Sequence, residues 1–171
     1  EGNLTVGYRY NERGYLTHEY NVASGYVYRE ITTQDNFGNV TSANLGGNDA
    51  DITLTDSYSP KTGQMLSSTA LGKILGTNGT IHSLSYGISG YDSYGNLKSV
   101  SNGVAGMTAS ESFNYDKLHR LTNVDIIAGG STATIDYGYD AAGNFTHKSD
   151  YSLNNATAYQ YVANSNKISE I

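Results

Sequence analysis

The sequence predicts an all-β chain of repeated antiparallel hairpins, and three observations carry that prediction. Glycine (20) and tyrosine (16) are abundant, only 15% of the residues are charged, and Pro60 is the single proline. That composition suits strands and turns and leaves little for amphipathic helices. A turn-forming block recurs along the chain at near-constant spacing, and an apolar residue follows the turn in every copy. Seven hairpins make about 14 strands, which at ~4.8 Å each form a ribbon roughly 65 Å wide. Strand twist makes so wide a sheet curve or spiral.

The clearest copy is Tyr137-Gly138-Tyr139-Asp140-Ala141-Ala142-Gly143-Asn144-Phe145. Tyr137 and Tyr139 fall on one face of a strand. The Asp140 carboxylate can accept from a backbone N–H two residues on. Gly143 can take positive φ without a Cβ clash, and Phe145 then opens the returning strand.

Taken in order, the residue just before the turn is Tyr10, Gln34, Tyr58, Tyr91, Tyr115, Tyr139 and Tyr161, at intervals of 24, 24, 33, 24, 24 and 22. The positive-φ position holds Gly14, Gly38, Gly63, Gly95, His119, Gly143 and Asn166; His and Asn are among the few other residues that tolerate it. The first apolar residue of the return is Leu16, Val40, Met65, Leu97, Leu121, Phe145 and Ile168, a slot expected to face a core. The third and seventh turns carry one extra residue. Tyr8 precedes Tyr10 at the same two-residue spacing, and Tyr159 precedes Tyr161. Asp35, Asp92, Asp116 and Asp140 open their turns, and their phasing assigns them to turn chemistry rather than to paired glycosidase carboxylates.

The 33-residue interval between Tyr58 and Tyr91 is the irregular one. It is expected to hold longer strands or an additional hairpin, with Thr77-Asn78-Gly79-Thr80 as the turn signal, in preference to a short helix. The connections between units are turn-rich, as at Ala23-Ser24-Gly25, Gly129-Gly130-Ser131 and Asn154-Asn155. The tyrosines are expected to pack as a ladder between neighbouring hairpins, with open sheet edges prone to self-association.

A net charge of −6 argues against a nucleic-acid partner and against anionic membranes, and no apolar run reaches membrane-spanning length. Cysteine is absent, which removes thiolate and disulfide chemistry. His18, His82, His119 and His147 lack metal-ligand spacing, so neither a metal nor another cofactor is expected. Asn48-Asp49-Ala50-Asp51 reads as a solvated turn rather than a calcium loop. The Asn-x-Ser/Thr triplets at Asn3, Asn39 and Asn144 read as turn exits before glycan sites. No nucleophile elbow is present, and no enzymatic activity is expected.

The Tyr-x-Tyr-Asp-x-x-Gly-Asn-apolar pattern resembles the YD repeat of the Rhs and teneurin-related proteins. It is carried by Tyr137 to Phe145, by Phe113-Asn114-Tyr115-Asp116 with Arg120-Leu121, by Tyr91-Asp92-Ser93-Tyr94-Gly95-Asn96-Leu97, and by Tyr8-Arg9-Tyr10-Asn11 with Gly14. Gln34 departs from it at the second tyrosine, and Thr32, Asp56 and Ser89 at the first. The resemblance implies that residues 1–171 are one segment, of about seven units, of a hollow β-shell in a much larger chain. In bacterial Rhs proteins and in the B and C subunits of Tc toxins such a shell encloses a toxic C-terminal polypeptide, which makes that polypeptide and the rest of the shell the expected partners. It implies a secreted or cell-surface bacterial protein. The family's autoproteolytic segment has no match here, so no catalytic residue carries over. A cell-surface adhesion or glycan-binding β-repeat module is the alternative from a different class, as teneurins use a similar barrel in adhesion; a repeat-built glycosidase is a distant third.

Overall fold

A computed structural model of the chain describes residues 4–47, 52–74, 77–150, 159–163 and 165–170. Asn3, the Asn48–Asp51 stretch and Asn154-Asn155 lie outside them. No α-helix occurs among the described residues. The chain packs as two compact units, Glu1–Ile88 with Asn102–Met107, and Ser89–Ser101 with Thr108–Ile171.

In the first unit seven strands stack in chain order, each antiparallel to the next: β1 (Val6–Tyr10), β2 (Leu16–Asn21), β3 (Val27–Gln34), β4 (Val40–Leu45), β5 (Ile52–Tyr58), β6 (Met65–Ile74) and β7 (Thr77–Ser85). The second unit holds β8 (Ser99–Asn102), β9 (Ala109–Tyr115), β10 (Leu121–Ala128), β11 (Ser131–Tyr139) and β12 (Phe145–Lys148), again in chain order. A separate two-stranded ribbon pairs β13 (Gln160–Tyr161) with β14 (Ile168–Glu170). These are the repeated antiparallel hairpins that the turn spacing predicts.

At all seven turns the residue before the turn pairs with the first apolar residue of the return. Tyr10 faces Leu16, Gln34 faces Val40, Tyr58 faces Met65, Tyr115 faces Leu121, Tyr139 faces Phe145 and Tyr161 faces Ile168. At the fourth turn the strand is reduced to a single bridge, Tyr91 to Leu97. Positive φ follows the prediction at Gly14 (80°), Gly38 (85°), Gly63 (71°), Gly95 (90°), His119 (59°) and Gly143 (90°). His119 is the sole non-glycine at positive φ among the described residues, so Asn166 departs from expectation. There the Ser165 N–H reaches the Val162 carbonyl at 3.0 Å, closing the seventh turn one residue earlier than Gly63 closes the third on Ser59.

The irregular interval holds the additional hairpin, formed by β6 and β7, but its turn is not where the Asn-Gly signal sits. Asn78 pairs with Lys73 and Gly79 with Gly72 inside the ladder. Strand pairing over eight registered positions outweighs one dipeptide's turn preference.

The expected core is thin. Buried apolar side chains among the described residues are Ala43, Ala70, Val104 and Val124. Leu16, Val40, Met65, Leu97 and Leu121 are half-buried, and Phe145 and Ile168 are exposed. With so few residues fully buried, cohesion comes from ladders and cross-strand pairs.

Candidate functional site

The repeated turns are the candidate site, and their aspartates explain why they form. Asp35 Oδ1 accepts the Phe37 and Asn39 N–H groups, both at 2.9 Å, and Asp92 and Asp140 do the same with the residues two and four positions on. The second carboxylate oxygen accepts the amide of Asn39 (2.9 Å), Asn96 (2.8 Å) or Asn144 (2.9 Å). These amides bonded to the carboxylate, together with the backbone donors, hold the three carboxyls below the usual aspartate range. In the fifth turn Arg120 replaces the asparagine. Its N–H and side chain lower Asp116 likewise, with Nε at 2.7 Å from Oδ2. Asn11 fills the role neutrally in the first turn, accepting from Arg13 and Tyr15 at 3.0 Å. The asparagine four residues after the aspartate had a visible signal, its recurrence at a helical-looking i,i+4 spacing within a turn, but its partner was not legible.

A second device sits one step along each return. In the six hairpins with strands on both sides the register slips by one residue at the turn tyrosine or Gln34, leaving Thr17, Thr41, Leu66, Thr122, Thr146 or Ser169 unopposed. Thr17 and Thr122 donate their hydroxyls to the Arg9 and Asn114 carbonyls, both at 3.1 Å. A bulge bends its strand and increases local twist. Its repetition at one place in each hairpin was missed from the sequence, where the only trace is threonine after the apolar slot.

The third device ties hairpin to hairpin. Tyr115 donates its hydroxyl to the Leu97 carbonyl (2.7 Å), Tyr139 to Leu121 (2.8 Å) and Tyr161 to Phe145 (2.9 Å). Each acceptor is the first residue of the preceding hairpin's return, so the bond spans units. Burial, then the Asp92 charge, pushes the Tyr115 phenol up; burial also raises Tyr139, against the Arg120 guanidinium. That guanidinium lies 4.6 Å over the Tyr139 ring and reaches the Asp140 carbonyl at 3.2 Å. Hydroxyl–carbonyl bonds thus make three of the joints between consecutive hairpins. Ring contacts gather at Phe145, 5.0 Å from Tyr139, 6.2 Å from Tyr137 and 6.1 Å from Tyr159.

In the first unit the same positions are less engaged. Tyr8 and Tyr10 are 55% and 61% exposed. Tyr58 is half-buried with its phenol raised by burial and by Asp56, yet no hydroxyl tie to Val40 forms. The four histidines stay apart, on β2, β7, the fifth turn and β12. His119 joins its turn to the fourth through Asn96 (2.9 Å) and the Tyr94 ring (4.6 Å). The arrangement ties hairpin to hairpin.

The teneurin YD-shell family model matches residues 37–170. Among solved structures, a chain of the Photorhabdus luminescens Tc holotoxin pore, in its TccC3-D651A mutant, is similar at 16% identity and a TM-score of 0.47, over 84% of this chain and 9% of that one. The chain thus spans a small fraction of that solved chain's length. No curated protein sequence matches it. With its turns, register and most of its length accounted for by one repeat, the chain belongs to the teneurin YD-shell family.

Proposed function

We propose that this chain is one wall segment, about seven hairpins long, of a hollow YD-repeat shell that encloses and shields a toxic C-terminal polypeptide of an exported bacterial protein. The single observation that best supports it is the bulge beside each turn, recurring in six hairpins. A bend repeated at each repeat curves a sheet consistently toward one side, which is what enclosure requires. The hydroxyl ties between consecutive hairpins favour a continuous wall over a row of separable ribbons. On this reading the segment acts sterically and catalyses nothing, its partners are the rest of its shell and the enclosed polypeptide, and it needs no cofactor.

Limited proteolysis of the full parent protein tests the reading. The downstream polypeptide should resist digestion while it is joined to the shell, and be digested rapidly when expressed alone. Equal digestion rates in the two settings would rule out shielding. Micromolar binding to a glycan array, with no protection of the downstream polypeptide, would replace shielding with adhesion.

A further inference from the structure

Between the first and second turns lies a groove of about 320 Å³, lined by Asn11, Arg13, Tyr15, Gln34 and Asn36 together with neighbouring threonines and Ile31. Its size is that of a small-ligand site. What distinguishes it is the state of its donors. Among the described residues, the Arg13 guanidinium and the side-chain amide groups of Gln34 and Asn36 make no hydrogen bond or ion pair, and Asn11 uses only its Oδ1, leaving its NH2 free. The equivalent groove between the fourth and fifth turns, about 470 Å³, has its amides engaged internally. There Asn96 donates to Asp92 and contacts His119, and Asn114 donates to Asn123 at 2.7 Å. Asp35, the carboxylate of the first groove, is already held by the Asn39 side-chain amide and two backbone N–H groups, those of Phe37 and Asn39.

One unpaired guanidinium, three unengaged amide donors and a 39% exposed tyrosine ring therefore line one concavity. A guanidinium matches a carboxylate bidentately, amides match ring hydroxyls, and an aromatic face matches the C–H face of a pyranose. We propose that this groove binds a sugar acid, a pyranose carrying one carboxylate, with Arg13 on the carboxylate and Asn11, Gln34 and Asn36 on the hydroxyls. The inference does not depend on the shell reading, since a shell wall can carry a ligand on its surface.

The test is titration of the isotope-labelled full chain, followed by amide resonances, with glucuronate, glucose and acetate as probes. Glucuronate should give saturable shifts confined to residues 11–17 and 31–36, with glucose and acetate each weaker by about tenfold, the loss of one charge-assisted or several neutral contacts. Arg13→Gln should weaken glucuronate by about tenfold and leave glucose unchanged; Asn36→Ala should weaken both sugars and leave acetate unchanged. Arg13 and Asn36 are exposed and their side chains hold nothing else, so unchanged far-ultraviolet circular dichroism should accompany both. Equal affinity for glucuronate and glucose, indifference to Arg13→Gln, or no saturable shift with any probe into the tens of millimolar would overturn the proposal.

Discussion

The turns of the second unit and those of the first are built from the same signature and are joined differently. In the second unit Tyr115, Tyr139 and Tyr161 each bond the preceding hairpin's backbone. In the first, Gln34 replaces the tyrosine, and Tyr58 is half-buried without the bond. Between hairpins there, Arg29 pairs with Glu19 at 3.6 Å, Asn21 donates its amide to the Tyr28 hydroxyl at 3.1 Å and Thr53 donates its hydroxyl to the Asn44 side-chain carbonyl at 3.3 Å, beside the small buried residues Ala43 and Ala70. The comparison teaches that the repeat has two separable parts. The aspartate, or its asparagine stand-in, folds each turn locally. The tyrosine fastens the turn to its neighbour, and one can be lost without the other.

The contrast can be broken most forcefully at Tyr139. Tyr139→Ala removes the tie to Leu121, the stacking on Phe145 and the seat of Arg120, and should cost about 2 kcal/mol in urea unfolding, whereas Tyr10→Ala, at an exposed ring, should cost under about 0.5 kcal/mol. Equal costs would dissolve the distinction between the units. Gly143→Ala probes the local part, for at φ 90° a Cβ is strained whatever the space around it; a loss of about 1–2 kcal/mol is expected without change in the neighbouring hairpins' amide exchange. Gln34→Tyr should sharpen the comparison from the other side. It offers the first unit a hydroxyl aimed at the Leu16 carbonyl and should stabilise by about 1 kcal/mol, with slowed exchange in β2 and β3 as the readout.

Acid is the gentlest probe, with no effect at neutral pH. Asp35, Asp92, Asp116 and Asp140 all have folded-state values below their unfolded ones, so their contribution is complete above about pH 4 and is lost as pH falls through the lower, folded values. Stability followed by circular dichroism should therefore drop on acidification below about pH 4, and Asp140→Asn should flatten that drop because Asn11 shows an amide can do the same work without titrating. A drop of the same size in the variant would show that the carboxylates are not its origin.

Chain order, turn position and the apolar residue that opens each return were legible because a tight turn is a local object: aspartate, glycine and two flanking strand residues fix it within one short loop. His119 was legible for the same reason, since few side chains tolerate its φ. Asn78-Gly79 misled because a dipeptide preference is weak beside a registered ladder, and Asn166 because the extra loop residue gave the turn a second way to close. The bulges, the asparagine amide on Asp35, Asp92 and Asp140 and the tyrosine hydroxyl on the neighbouring carbonyl were not legible.

By itself, the sequence determined an all-β chain of hairpins, where each one turns, and which apolar residue opens each return, because those outcomes depend on a few consecutive φ/ψ preferences. Only the tertiary structure decided how one hairpin holds the next, why the core stays thin, and which side chains line an open groove. Those depend on groups 16 to 23 residues apart, whose meeting is set by strand stacking and register rather than by any residue's own preference.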